Sequence, residues 1–546
     1  MRVLLLAVVL AFASGCATSA ATTSTTSVRR IGKATEADRK LVAEVRDQAA
    51  ALLQGQAELF WEAWTKGTPV DVEAHYASHE ALFTATRFEA VQRVRAAEKD
   101  PDGRRALHFL ESWLAGEILA RSTAEHSTRL AGIEAAATFG LDGEKHGWRE
   151  LEPMLAAEAD PERRAAMQQA ALPVLHSLGE VLHAKRERLE AVARTLGYES
   201  TLDAAAALRQ SSPAAIDALA GGVLAATDGL HTKAFTSLAR RQLGTELGAL
   251  RRSDMPRLFS SLGLFVRFPS ADALPALEAT LQGLGLDASA LRVEPRAPSG
   301  RPLALAVAPP QDVRLALPAA ARDWAPIFHE AGLALHAAHT APGAFEHALL
   351  GNEASAEAFA VLFENLTTNP AWLRDQTGMT AAEAAAHAST AAARRLYQAR
   401  RHAARLGYQI AWANGVDQPR ALYRAAMERA YGFPLSGTDA AWYAVDQDEW
   451  LFGADALRAW MLAAMIEEHL VAAHGEAWWL SAEAGRALAA LMESGNRETP
   501  DEIAQRIGAK ALDPQAFVRQ LEGRLGVLLT PPPAPAAKEA EAAPAS

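Results

Sequence analysis

The residues with the clearest capacity for chemistry are His329 and Glu330, in the segment Ile327-Phe-His-Glu-Ala-Gly-Leu-Ala-Leu-His336. A His-Glu pair followed by a second histidine, in the order His-Glu-x-x-His, binds zinc on a helix. The two histidines lie on one helix face and hold the metal, while the glutamate takes a proton from the metal-bound water. Here position 333 is leucine. The segment therefore has one histidine ligand and the general base, and it lacks the second histidine.

The residues around this pair resemble the active-site helix of the thimet oligopeptidase and oligopeptidase F family of zinc metallopeptidases, which are of the gluzincin type. That helix reads His-Glu-Phe-Gly-His-Ala-Leu-His or nearly so. In Phe328–His336 the eight residues that follow Phe328 match this pattern at every position except the third and the fifth. Downstream, Glu357-Ala-Phe-Ala-Val-Leu-Phe-Glu364-Asn365 resembles the family's second helix, whose first glutamate is the third zinc ligand. The resemblance implies zinc as cofactor, peptides as ligands, His329 and Glu357 as metal ligands, and Glu330 as the catalytic base.

Leu333 removes one of the three protein ligands that a catalytic zinc requires. His336 cannot replace it, because seven residues separate it from His329 by about 10.5 Å along a helix. Two ligands of one zinc ion lie at most about 4.2 Å apart. A histidine from elsewhere, such as His347 or His469, remains an alternative. Glu353, Glu357 and Glu364 share a helical face, and a solvated acidic stripe is the alternative interpretation of that pattern.

A second departure from the family concerns a late segment in which its members carry substrate-binding tyrosines. Phe452 and Ala456 stand at the apparent counterparts in this chain. Without hydroxyl donors, an oxyanion loses part of its stabilisation. We therefore predict a metallopeptidase homologue with a degraded zinc site, no stoichiometric zinc and weak or no hydrolysis. The alternatives are an active peptidase with an unforeseen third ligand, and a peptide-binding or scaffolding lipoprotein.

The elements that must position these residues are predicted to be mostly helices. Thr35 and Asp38 form a capping-box pattern before an apolar repeat of helical spacing, and alanine-rich segments such as 382–393 favour helix. Short apolar runs at 291–295, 303–307 and 313–317 are typical of strands. The chain is thus predicted to be mainly α, with a small sheet before the active-site helix. The resemblance implies a two-lobed, oligopeptidase-like shape with a central channel.

The N-terminus predicts export and lipidation. Arg2, a short apolar run over 3–12 and then Ala13-Ser14-Gly15-Cys16 are typical of a secretory signal, and the last four residues resemble a bacterial lipobox. Cys16 is the single cysteine of the chain. We expect it to carry the lipid and to anchor the protein to the bacterial cell envelope, on its periplasmic or outer-membrane face. An ordinary signal with a chance cysteine is the alternative.

Composition limits the classes of partner. The 546 residues carry a net charge of −11, which argues against nucleic acid because such binders usually present a basic face. The predicted segments are a signal peptide over 1–15, a flexible tether over 16–34, a helical region over 35–260, a mixed region with the sheet over 261–320, a helical catalytic-type region over 321–525, and a disordered Pro/Ala-rich tail over 526–546.

Overall fold

The computed structural model describes residues 32–260, 267–321, 323–415 and 417–530. Cys16 and most of the predicted tail lie outside these residues. The described chain is mainly α-helical with a small sheet before the helix that carries His329, which confirms the predicted fold class. Among these residues we find no helix with the length and apolar character needed to cross a membrane.

The helices before the small sheet differ widely in length. They are α1 (Glu36–Lys66), α2 (Val72–Ala77), α3 (Ala85–Ala97), α4 (Pro101–Ser122), α5 (Ala124–Ala136), α6 (Leu151–Ala157), α7 (Pro161–Ala170), α8 (Leu172–Thr195), α9 (Thr201–Leu208), α10 (Pro213–Leu243), α11 (Met255–Leu258) and α12 (Ala273–Leu284). The first of them starts as predicted: the Thr35 hydroxyl accepts the Asp38 N–H at 3.1 Å, and the Asp38 carboxylate accepts the Thr35 N–H at 2.8 Å.

The helices after the sheet contain the predicted chemistry. They are α13 (Ala325–Ala338), α14 (Phe345–Leu349), α15 (Glu353–Leu366), α16 (Pro370–Thr377), α17 (Ala381–Ala413), α18 (Pro419–Tyr431), α19 (Gly437–Ala440), α20 (Phe452–His474), α21 (Ala482–Met492), α22 (Pro500–Arg506), α23 (Pro514–Arg524) and α24 (Gly526–Leu529). Short 3-10 turns join several helices of the chain, at Glu80–Phe83, Trp148–Glu150, Leu247–Ala249, Arg252–Asp254, Ser270–Asp272, Ala288–Ala290, Ala441–Ala444 and Trp478–Leu480.

The strands form one hairpin and one three-stranded sheet. They are β1 (Thr138–Leu141), β2 (Glu144–Gly147), β3 (Arg292–Ala297), β4 (Leu303–Ala308) and β5 (Asp312–Pro318). In the sheet the order is β3-β5-β4, with β3 parallel and β4 antiparallel to β5. The hairpin falls inside the region predicted to be helical. Its turn is Asp142-Gly143, both with positive φ, a dipeptide that favours tight hairpins.

The small sheet is fastened to the first helix by a buried charge. Arg314 of β5 is 4% exposed, and its two terminal nitrogens donate to the Glu58 carboxylate of α1 at 2.6 and 2.7 Å. Such a bidentate pair fixes orientation as well as position. The pair therefore sets β4, the neighbour of β5, beside the N-terminal helices.

Two apolar cores flank the central cavity. One gathers side chains from α10, α13, α15, α17 and α20, and the other gathers side chains from α1, α3, α4 and the sheet. The cavity is lined from both sides, by Leu333 of the first group and by Leu53, Phe60 and Phe109 of the second. The gap between the cores is thus the part of the fold in which a ligand can be enclosed.

Helices α13 and α15 cross in close contact at Gly332. A Cβ atom at this position would lie 2.6 Å from Ala360 Cα and 2.6 Å from the Phe359 carbonyl oxygen. Cβ atoms essentially never make nonbonded contacts under 3.0 Å, so any other residue would push the helices apart. Glycine at 332 therefore allows the backbone approach that brings the side chains of these two helices together.

We expect Gly332→Ala to destabilise the protein by about 1–3 kcal/mol, the usual cost of overpacking a core. The matched control is Gly221→Ala in α10, where an added Cβ meets nothing within 4 Å and the better helix propensity should stabilise by about 0.5–1 kcal/mol. Denaturant unfolding of both variants measures the difference. Equal stability changes in the two variants would contradict the tight crossing.

Candidate functional site

His329 lies between two carboxylates of α15. Its Nδ1 is 3.0 Å from Glu364 Oε2, a hydrogen-bond distance, and its Nε2 is 3.5 Å from Glu357 Oε2. Arg395 of α17 pairs with the other oxygen of Glu364. Four side chains from α13, α15 and α17 thus form a line of alternating charge, Glu357–His329–Glu364–Arg395, which we call the ion chain.

The ion chain favours a doubly protonated histidine. Burial by itself would lower the pKa of His329, but the hydrogen bonding and negative charge of Glu357 and Glu364 outweigh it and raise the pKa to about 10. Burial likewise opposes the charge on Glu364, yet Arg395 and His329 hold the pKa of this carboxyl well below its usual range. The two carboxylates therefore favour the doubly protonated imidazole at neutral pH.

Glu330 points to a different partner. Its side chain is 6% exposed, and its Oε2 accepts the backbone N–H of Ala304 at 2.7 Å. Ala304 belongs to β4, so this carboxylate ties α13 to the sheet. Glu330 is not part of the cavity lining within the described chain. The residue predicted as general base thus has a structural partner in this fold.

The described residues do not fit a catalytic zinc. Leu333 is partly buried against the apolar core and lines the cavity. His336 is 3% exposed, stacks on Phe359 and lies 3.2 Å from the Gly495 carbonyl oxygen. His347 packs against Phe109, and His469 is exposed. No group of three histidine, cysteine or carboxylate side chains that could hold a metal ion occurs in the described ranges.

The cavity beside the ion chain has a volume of about 320 Å³. Its walls are mainly apolar and come chiefly from α1, α4, β4, α13, α15, and the start of α20 with the segment before it. The polar and charged residues of the lining are Gln56, Ser112, Glu117, Arg209, His336, Asn352, Glu353, Glu357, Asp455 and Asn496. This combination of an apolar wall and a few polar groups is typical of ligand pockets.

Phe452 and Ala456 lie at the start of α20. Phe452 lines the cavity, with the Arg209 guanidinium 4.5 Å from its ring centroid, whereas Ala456 packs partly buried against the core. No tyrosine belongs to the cavity lining among the described residues. Between them on α20, Asp455 pairs with Arg209 at 2.9 Å. Burial raises the pKa of Asp455 to about 6, although Arg209 partly offsets that effect.

Sequence comparisons give no family for this chain. No family model matches it, and no curated protein sequence matches it. Solved structures do match. The M32 carboxypeptidase from Deinococcus radiodurans R1 is 17% identical with a TM-score of 0.56, over 90% of this chain and 100% of that one. Metallocarboxypeptidase 1 of Trypanosoma cruzi is 13% identical with a TM-score of 0.54, over 90% and 99%.

These matches define the class of fold. The chain shares the mainly helical fold of these two carboxypeptidases over most of its length. The structures it matches are carboxypeptidases, so the narrower assignment to the thimet oligopeptidase and oligopeptidase F family stays a prediction. Identities this low show a shared fold and leave activity open.

Sequence reasoning brought His329 and Glu357 together but missed much of their surroundings. The partner of His329 at hydrogen-bond distance is Glu364, two helical turns beyond Glu357 on the same face. The seven-residue spacing could have predicted that Glu364 also faces His329. No sequence pattern predicts the positions of Arg395 or of the Arg209–Asp455 pair, because these contacts join helices that are distant in sequence.

The raised pKa of His329 predicts a pH-dependent stability. Its folded-state pKa of about 10 exceeds its ordinary value of 6.5, so the stabilisation is fully present below pH 6.5 and is lost as pH rises through 10. His329→Gln should cost about 3 kcal/mol at neutral pH, as for a partner removed from a buried ion pair.

Denaturant unfolding of both proteins across this range measures the effect, with exposed His469→Gln as the control. The difference between the unmodified protein and His329→Gln should shrink as pH approaches 10. A difference that does not change with pH would contradict a cationic His329.

Proposed function

We propose that this chain is a lipid-anchored envelope protein that binds peptides on a metallopeptidase fold and hydrolyses them weakly or not at all. The single observation that carries this proposal is the pairing of His329 with Glu357 and Glu364 beside Leu333. The two candidate ligands, His329 and Glu357, lie beside each other, and Leu333 supplies no third ligand.

The electrostatics of the site support the same conclusion. Metal ligands must be deprotonated, whereas the carboxylates that flank His329 favour its protonated form. A metal ion here would also gain only two protein ligands, next to a leucine side chain. In a metallopeptidase the bound metal lowers the pKa of the attacking water, and two protein ligands are one fewer than catalytic zinc sites use.

The cavity supports peptide binding. Asn352 and Asn496 are 9% and 7% exposed and line it. Within the described residues, Asn352 Nδ2 and Asn496 Oδ1 have no hydrogen-bond partner. An unpaired buried polar atom is costly, and a peptide backbone offers one acceptor and one donor per residue. Two amides in one wall suit that kind of ligand.

The proposed location is the bacterial cell envelope. It rests on the Ala13-Ser14-Gly15-Cys16 motif and on Cys16 as the single cysteine, both outside the described residues. A thioether-linked lipid at Cys16 would hold the protein at a membrane surface, with its cavity available to peptides of that compartment.

Leu333→His tests the proposed loss of the metal site. The unmodified protein should contain no stoichiometric zinc and should cleave a quenched fluorescent peptide library weakly or not at all. The variant should gain zinc binding, since a third protein ligand completes the set that zinc prefers. Elemental analysis and the library assay measure both properties.

The matched control is Leu333→Gln, which adds polarity at the same position without a good zinc ligand. It should remain metal-free. One zinc per unmodified chain together with chelator-sensitive cleavage would overturn the proposal and favour an active peptidase with an unforeseen third ligand.

Cys16→Ser tests the anchor. Because the lipid is attached through the thiol, this variant should lose fatty-acid labelling and membrane association in a bacterial host. Cys16→Ser combined with Ser19→Cys is the control: a thiol three residues beyond the motif should not restore labelling. Persistent labelling of Cys16→Ser would refute lipidation at this residue.

A further inference from the structure

Some carboxylates in the cavity lining are paired with a cationic side chain, and one is not. Two of its carboxylates already have cations: Glu357 faces His329 at 3.5 Å, and Asp455 pairs with Arg209 at 2.9 Å. Glu353 is exposed at the rim and has no hydrogen bond or ion pair within the described residues. The cavity thus offers a carboxylate that its own side chains leave unneutralised.

Glu353 acts together with neighbouring negative charge. It lies one turn before Glu357 on α15, so both side chains occupy the same face. Asp455 approaches from α20, and the charge of Glu353 contributes to the raised pKa of Asp455. Glu117 of α4 also lines the cavity, but burial raises the pKa of its carboxyl to about 7, so it carries only part of a negative charge at neutral pH. The unpaired carboxylate of Glu353 therefore makes the rim attractive to cations.

Among the described residues, the lining offers no unpaired lysine or arginine in return. Its single basic side chain of these two types in that part of the chain is Arg209. Its side chain is 7% exposed, and its Nε is occupied by Asp455 and by the Leu451 carbonyl at 3.1 Å. Its guanidinium also covers the Phe452 ring. A terminal carboxylate of a peptide would find no unpaired positive side chain in this cavity, and it would be repelled by Glu353.

Apolar side chains surround the charged rim. Leu53, Phe60 and Trp113 line the cavity from the N-terminal helices, and Leu333 and Trp450 line it from the other side. Asn496 Oδ1, in a residue that is 7% exposed, is an acceptor without a partner in the described chain. This oxygen can accept a hydrogen bond from an N–H group of a ligand. The lining therefore matches a ligand that carries a positive group, N–H donors and apolar groups next to them.

We propose that the cavity selects peptide segments in which a lysine or arginine adjoins apolar residues, held through the basic side chain at Glu353 and not through a terminal carboxylate. This inference rests on the proposed peptide-binding function and names the ligand class of that site. Binding then does not depend on a free C-terminal carboxylate, so internal segments and C-terminally capped peptides should bind with similar affinity.

Fluorescence anisotropy with the purified full chain tests this selection. The probes are N-terminally labelled peptides of sequence Leu-Ala-Lys-Phe-Leu-Ala, with lysine replaced by glutamine or glutamate, each as free acid and as C-terminal amide. The lysine peptide should bind about tenfold more tightly than the glutamine peptide, as expected for one charge pair at a partly solvated rim. Amidation should leave its Kd within about twofold.

Two variants assign the effect to Glu353. Glu353→Gln should remove the preference for lysine over glutamine, whereas Glu476→Gln, an exposed carboxylate outside the cavity, should keep it. Equal affinity for the lysine and glutamate peptides, or a tenfold loss on amidation, would overturn the inference. A lysine preference that survives in Glu353→Gln would also overturn it.

Mass spectrometry of the recovered probes separates this inference from the proposed function. Rapid cleavage of the peptides, or no binding of any probe, would contradict the proposed function itself. Intact peptides bound without regard to charge would contradict only the selection of basic segments.

Discussion

The close crossing of α13 and α15 at Gly332 is the constraint on which the site depends. Because no side chain separates the helices there, His329 on one helix reaches both Glu357 and Glu364 on the other. The same approach places Leu333 at the cavity wall and turns Glu353 and Glu357 toward the cavity. A wider crossing would leave each of these groups to solvent, and neither an ion chain nor an enclosed pocket would form.

The side chains at this crossing also balance one another's charge. Glu357 and Glu364 would repel each other if nothing cationic lay between them. In this chain the imidazolium of His329 supplies that cation, and Arg395 completes the compensation at Glu364. The arrangement is internally neutral at neutral pH, so the packing of α13, α15 and α17 does not require an added ion.

Most helices and strands follow from local sequence patterns, whereas several contacts at the site do not. The capping box at Thr35, the strands near 292–318 and the helix around His329 are encoded by patterns within a few residues. The hairpin β1–β2 was missed because four-residue strands with little apolar alternation give a weak signal, although Asp142-Gly143 marks its turn. Arg395, Arg209 and Asp455 reach the site through tertiary packing over distances in sequence that no local pattern records.

The side chains of the cavity and the overall fold give different indications about which ligand is bound. The fold is shared with carboxypeptidases, whereas the cavity presents unneutralised acid at its rim and a guanidinium that is already engaged. Ligand preference thus follows the side chains that line this particular pocket, and it cannot be transferred from proteins at 13–17% identity.

The hydrogen bond from the Ala304 amide to Glu330 affects how mutagenesis of this chain can be read. The Ala304 N–H is a buried donor that needs an acceptor, and Glu330 supplies it. Replacing Glu330 with alanine would leave that donor unsatisfied, at a cost of about 1–3 kcal/mol. The substitution commonly used to diagnose a catalytic glutamate would therefore perturb the junction of helix and sheet in this scaffold. A loss of function after it would report on folding as much as on chemistry.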